Sequence, residues 1–229
     1  MQYLGIPFGP AVRMLLCHIN TQALLQGKST IDIAHNMTEF VKSIGLSVGG
    51  NQLQTIKNQL ARLAASSVSL SFETAPDRTR NATTQIIKEF DLWFPRDENQ
   101  HIIWDSHLTL GTDYFESLQM HAVPLNPKHL GALSMNAMAI DIYSWLAHRL
   151  PRIDGKAVQL HWGVLKQQFG DSYAEMKHFK ADFIAALKLV KTQYQTANIE
   201  VVQDKGLILY PSLPVIHRKI YPALPGKED

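Results

Sequence analysis

The order of elements read along the 229-residue chain predicts an α+β fold built as two tandem winged helix-turn-helix domains. Three observations carry that expectation. Helix, short strand, helix, helix and long hairpin follow one another in the first half. The same order returns in the second half. Between them, Met120–Pro127 holds Pro124 and Pro127 and reads as a connector. The expected domains are therefore 1–120 and 121–213, followed by a Pro-rich tail over 214–229. Hydrophobic residues make up 45% of the chain and charged residues 18%, enough to bury a core in each half and to exclude long disorder. The halves do not align residue for residue; what repeats is the order of elements.

In the first half, Pro10–Gln26 reads as a helix, with Pro10 in its first turn, Val12, Leu15, Leu16, Ile19 and Ala23 at helical spacing, and Gly27 as C-terminal cap. Thr30-Ile31-Asp32-Ile33 alternates like a strand. A second helix is expected from Thr38 through Phe40, Val41 and Ile44 to Gly45, and a third over Asn51–Ala65 with Leu53, Ile56, Leu60 and Leu63 as its apolar stripe. The other face of that third helix carries Gln52, Gln54, Lys57, Asn58, Gln59 and Arg62. Such a face is commonly just solvated, yet these side chains also match base edges and phosphates. Val68–Phe72 and Gln85–Phe94 read as a strand pair joined by a polar loop holding Pro76, Asp77, Arg78, Arg80 and Asn81, the expected wing. Trp104–Leu110 is strand-like and Tyr114–Leu118 a helical turn.

In the second half, helices are expected at Pro127–Leu133, Ala137–Arg149, Trp162–Phe169 and Tyr173–Gln195, with a short strand at Val158–Leu160. The longest helix turns Phe179, Phe183, Ala186, Leu187 and Val190 inward and leaves Lys177, Lys180, Lys188 and Lys191 outside that seam. Ile199–Val202 and Leu207–Tyr210 flank Gln203-Asp204-Lys205-Gly206 as a tight hairpin. The tail from Pro211 onward is expected to be extended and partly loose.

Several function classes are excluded or left unsupported. One cysteine, Cys17, permits no internal disulfide and favours a cytoplasmic protein. No run of 18 apolar residues and no signal segment is present, which argues against membrane or secreted classes. Gly27-Lys28-Ser29-Thr30 imitates the end of a phosphate-binding loop, but Gln22 stands where that motif needs glycine and the segment follows a helix. Ten histidines include no His-x-His and no His-x-x-x-His pair, so neither a zinc site nor a metal-dependent nickase is expected. His161 and His178 read as facing DNA or solvent and His18 as a core-edge residue. Tyr143, Tyr194 and Tyr210 lie in apolar patterns and read as core or edge residues, and Gly-x-Ser-x-Gly is absent. The expectation is a protein without catalytic activity, metal or cofactor.

Charge divides unevenly. Residues 1–120 carry 9 Lys and Arg against 11 Asp and Glu, whereas residues 121–229 carry 13 against 9. The second half is thus the half suited to an anionic partner.

Five segments carry a family likeness. Gly5-Ile6-Pro7-Phe8-Gly9-Pro10 with Arg13, then Ala139 through Leu150, Trp162 through Gly170, Phe179-Lys180-Ala181-Asp182-Phe183, and Gly206-Leu207 to Pro211-Ser212 resemble, in order, the RepA C-terminal family of plasmid replication initiators. The resemblance implies two winged-helix domains in the bacterial cytoplasm that bind directly repeated origin sequences (iterons) as double-stranded DNA. It also implies opening of the adjoining duplex, contacts with the host replication initiator and helicase, plasmid copy control, and interconversion between monomer and homodimer, the first domain serving as a dimer surface.

The recognition helices are expected at Asn51–Arg62 and Tyr173–Lys188. The expected DNA contacts are Gln52, Gln54, Lys57, Asn58 and Arg62 on the first, Arg78 and Arg80 on its wing, Lys177, His178, Lys180 and Lys188 on the second, and Lys205 on the second hairpin. Two grooves about 10–10.5 bp apart would give a site of roughly 20 bp. Two rival classes use the same fold: a transcriptional repressor with no role in replication, and a module that binds proteins.

Overall fold

Gly9, at φ 82, turns the chain into α1 (Gly9–Gln26), where Pro10 fits the first turn because its missing N–H would have no intrahelical partner. The computed structural model of the chain describes residues 5–32, 41–42, 50–75, 78–91 and 107–216. It divides the chain into two compact units, Met1–Ala122 and Val123–Asp229.

In the first unit α1 buries Ala11, Val12, Met14, Leu15, Ile19 and Ala23 and ends at Gly27, whose φ of 64 suits glycine. Strand β1 (Thr30–Asp32) follows. Of the helix expected from Thr38, only Val41 and Lys42 fall among the described residues; both are helical and Val41 is buried. Helix α2 (Gly50–Ala64) packs Ile56, Leu60 and Leu63 inward, touching α1 and the later strand β4. Next come β2 (Ser67–Ala75), β3 (Arg78–Gln85), β4 (Ile87–Asp91), β5 (His107–Leu110) and α3 (Thr112–His121), a full helix where a single turn was expected.

The strand pattern departs from expectation at two points. Arg78, Arg80 and Asn81 are in strand β3, not in a loop, with Arg78 opposite Ala75, Arg80 opposite Phe72 and Asn81 opposite Ser71. The β-favouring residues Thr79, Thr83 and Thr84 and a ladder to β2, interrupted only by a register shift between Glu73 and Ala75, outweigh the polar composition that suggested a loop. The second strand, expected as one piece over Gln85–Phe94, is split at Ile86 between two sheets, and its residues 92–94 lie outside the described residues. Ile87 enters the core, pairs with Leu110 and is 1% exposed, while Ile86 accepts the Gly111 N–H at 3.1 Å. Gly111 allows that close pass, since a Cβ there would collide with the Gln85 carbonyl. The three-stranded antiparallel sheet has the order β1-β5-β4, and β2–β3 form a separate two-stranded ribbon.

The second unit begins with α4 (Pro127–Leu133), capped by the Asn126 side chain accepting from the Lys128 N–H, and α5 (Ala137–Arg149), capped by Asn136 accepting from the Ala139 N–H. A 3-10 turn (Leu150–Arg152), β6 (Val158–His161), α6 (Trp162–Phe169), α7 (Met176–Gln193), β7 (Ile199–Val202) and β8 (Gly206–Leu209) complete it. The sheet order β6-β8-β7 matches β1-β5-β4: in both, the first strand pairs with the last and the last with its predecessor. Tyr143, Leu146, Trp162, Leu165, Phe179, Phe183, Leu207 and Leu209 form the core.

Helix α7 starts three residues later than expected. Tyr173 instead returns its N–H to Gly170 and its phenol to Asp182. Strand β8 starts one residue earlier, because Gly206 pairs with both Val202 and His161 at a φ of 137. Nor is the start of the tail loose: the Tyr194 O–H donates to Leu213 O at 2.6 Å, and Ser212 Oγ accepts the Asn198 N–H at 3.0 Å. Residues 217–229 of the expected tail lie outside the described residues.

Candidate nucleic-acid interface

Helical periodicity sorts α7 into two faces. Phe179, Phe183, Ala186, Leu187 and Val190 are buried, so Lys177, His178, Asp182, Lys188 and Leu189 are left exposed. The first turn has unpaired backbone N–H groups and no side-chain cap from Glu175. Glu175 instead sits 3.5 Å from His178 Nε2. A helix start with free N–H groups and Lys177 beside it attracts anions by dipole and by charge.

Lys180 is half-buried and holds its ammonium 5.3 Å over the Trp162 ring. The indole N–H of Trp162 donates to Gln203 O at 2.9 Å, in the turn between β7 and β8 that also carries the exposed Lys205. Trp162 thereby places the start of α7 and the hairpin turn against one side chain. Lys188 stands eight residues beyond Lys180, about 12 Å along the helix at 1.5 Å per residue. Lys191 donates to Ile199 O at 3.3 Å. Asp182 accepts the Tyr173 O–H at 2.8 Å; that hydrogen bond, then burial, then the carboxylate charge raise the Tyr173 pKa.

In the first unit, several described side chains of α2 are engaged within the chain. Gln54 and Asn58 are exposed and hydrogen-bonded to each other at 3.1 Å, and Lys57 is half-buried. Gln59, expected on the polar face, is 3% exposed and accepts the Phe8 N–H at 2.8 Å. Arg62 donates to Ile6 O at 3.2 Å and lies 5.1 Å over the Phe8 ring. Both side chains clasp the Gly5–Pro10 segment, whose positive φ at Gly5 (73) and Gly9 (82) needs glycine. The side chains of Gln52, Arg78 and Arg80 lie outside the described residues.

Of the histidines weighed from the sequence, His161 and His178 are exposed, and His18 is half-buried with its pKa lowered by burial. Sequence reasoning missed the roles of Gln59 and Trp162. A glutamine one position from Leu60 and a tryptophan directly after a strand were the available signals. Among the described residues no group of three or more His, Cys, Asp or Glu is placed to hold a metal ion, and no helix is long and apolar enough to cross a membrane.

These features define a two-unit α+β protein whose second unit links the lysine-bearing start of α7, through Trp162, to the hairpin turn that carries Lys205. The sequence profile of the family described as "Plasmid encoded RepA protein" matches residues 6–163, and the chain belongs to that family of plasmid replication initiators, the one its motifs resemble. Among solved structures the chain is similar to domains 2 and 3 of RctB. One crystal structure, spanning RctB residues 155–483, shares 12% identity at a TM-score of 0.53, over 87% of this chain and 78% of that one. Another, of the selenomethionine derivative, shares 12% identity at a TM-score of 0.60, over 89% and 82%. At such identity the likeness is one of fold. No curated protein sequence matches the chain.

Proposed function

We propose that the chain initiates plasmid replication by reading directly repeated origin duplexes through two winged helices, and promotes opening of adjoining DNA without catalysis, metal or cofactor. The winged-helix reading is supported in both units by a three-stranded antiparallel sheet whose first strand pairs with the last, following a helical layer. The observation that carries the DNA reading is that Lys180, on the same first turns of α7 as the exposed Lys177 and His178, lies over the Trp162 ring, whose indole N–H holds the turn that carries Lys205. A recognition helix entering the major groove by its first turns, flanked by a hairpin turn that offers a lysine, has that geometry. Family membership adds the replication role.

The second unit is the main reader, because its half carries the excess of Lys and Arg. In the first unit Arg62 is committed to Ile6 and Phe8, which leaves Gln54, Lys57 and Asn58 as a weaker contact and frees that unit for homodimerisation. Host replication initiator and helicase are the further partners, in the bacterial cytoplasm. Bending several adjacent repeats supplies strain to an AT-rich neighbour, so opening needs no active site.

The test is fluorescence anisotropy of the full chain on repeat-containing and shuffled duplexes from its own plasmid origin. A preference of at least about a thousandfold for the repeat is expected. Equal, weak binding to both would overturn the reading in favour of a protein-binding module. Specific binding confined to a promoter, with no effect on origin opening, would favour a repressor.

A further inference from the structure

We propose that Trp162 is a positioning residue that makes the hairpin turn and the start of α7 a single DNA-reading element. This inference rests on the DNA-reading function proposed above. Trp162 opens α6 and is 4% exposed, so it does not itself meet a partner. Both of its N–H groups are spent on one three-residue turn. The indole N–H donates to Gln203 O at 2.9 Å and the backbone N–H to Lys205 O at 3.2 Å, which fixes the first and last residues of that turn. The Lys205 N–H closes the turn on Val202 O at 3.0 Å.

The ring serves the other partner. Lys180 lies 5.3 Å over it, within cation–π range, and Phe179 and Phe183 meet it edge-on at centroid distances of 6.4 and 5.9 Å. Both phenylalanines belong to α7, so the indole plane is registered to that helix while its N–H is registered to the turn. Any buried indole N–H needs an acceptor; here the acceptor belongs to the turn that carries Lys205 and the face carries an α7 cation, which a core-filling role alone does not require. Here phenylalanine would fill most of the space and lose the indole bond to Gln203.

The consequence is a coupling between Lys205 and Trp162. With the turn anchored, Lys205 stays beside the start of α7 and neutralises a phosphate; unanchored, its ammonium samples a wide volume and that contact is lost.

The experiment measures the salt dependence of repeat binding for wild type, Lys205→Ala, Trp162→Phe and the double variant. It also measures backbone ¹⁵N order parameters at Asp204 and Lys205 and exchange of the Trp162 indole proton, all without DNA. In the wild-type background Lys205→Ala should lower the magnitude of the salt slope by about 0.9, one phosphate, and in the Trp162→Phe background it should change little further. In Trp162→Phe, order parameters at the turn should fall from about 0.85, more at Asp204, beside the freed Gln203 carbonyl, than at Lys205, which keeps its backbone bonds to residue 162 and Val202. The wild-type indole proton should exchange slowly, a reading that needs no variant to fold. Additive losses, an unchanged order parameter or a fast-exchanging indole proton would each overturn the coupling. If Lys177→Ala and Lys205→Ala both leave DNA binding intact while the turn loosens in Trp162→Phe, the anchoring stands and the proposed function fails.

Discussion

Removing the lysines of the second unit should change the salt slope of binding by an amount countable from the structure. Lys177, Lys188 and Lys205 are exposed, and Lys180 is half-buried on Trp162. If each neutralises one phosphate, together they supply a slope of about −3.6, or roughly a 150-fold loss of affinity between about 50 and 200 mM salt. Each Lys→Gln substitution should reduce the magnitude of the slope by about 0.9, and all four together should abolish most of the second unit's share. Lys191 is the internal control, because its ammonium already donates to Ile199 O. Lys191→Gln should leave the slope unchanged. So should Arg62→Gln, whose guanidinium is committed to Ile6 and Phe8. The assay is anisotropy on the repeat duplex across a salt series, with circular dichroism to confirm folding. A slope unchanged by the fourfold variant, or changed as much by Lys191→Gln as by Lys177→Gln, would refute the placement of the phosphate contacts.

Three further outcomes test the packing. Gln59→Leu removes the acceptor of the Phe8 N–H and should destabilise the first unit by about 1 kcal/mol in urea denaturation. Gly206→Ala sets a Cβ against the Leu160 carbonyl at a φ of 137 and should cost the second unit about 1–3 kcal/mol, seen as a lower Tm. Burial pushes the Tyr194 pKa from 10.0 up to about 12. The unfolded chain then releases that phenolic proton first, so stability is intact below about pH 10 and declines as pH rises through about 12; Tyr194→Phe should flatten that decline in denaturation curves taken across the window.

The second unit was the more legible half because local signals agree there. Asn126 and Asn136 cap their helices, Gly170 ends α6, and the seam from Phe179 to Val190 repeats at helical spacing. In the first unit the β2–β3 ribbon was misread, since a polar stretch rich in Arg, Asn and Thr looks like a loop until its ladder to Ser67–Ala75 is known. Strand pairing is a long-range property, and alternation alone does not report it. The partners of α2's polar face were illegible for a related reason. Helical spacing placed Gln59 and Arg62 on the polar side of α2, but it could not show that Ile6 and Phe8 fold back onto that side.

The misread ribbon also decides which residues belong to the first unit's wing. By sheet order, β4 and β5 in the first unit occupy the positions of β7 and β8 in the second, so on the winged-helix reading proposed above the place of a wing in the sequence falls between β4 and β5 and not at the β2–β3 turn. That joining segment, 92–106, contains Arg96 as its one Lys or Arg, against Asp97, Glu98 and Asp105. The corresponding turn of the second unit balances Asp204 with Lys205, whose carbonyl is tied to Trp162. On that reading an acidic sequence there repels a phosphate backbone, and the first unit's remaining basic candidates beyond Lys57, namely Arg78 and Arg80, belong to a ribbon with no counterpart among the described residues of the second unit. On the proposed reading, the division of labour follows from this difference. The two units share a sheet order, but the second pairs its recognition helix with a turn whose lysine can approach phosphate, so most of the electrostatic affinity resides there and the first unit's α2 adds the weaker contact.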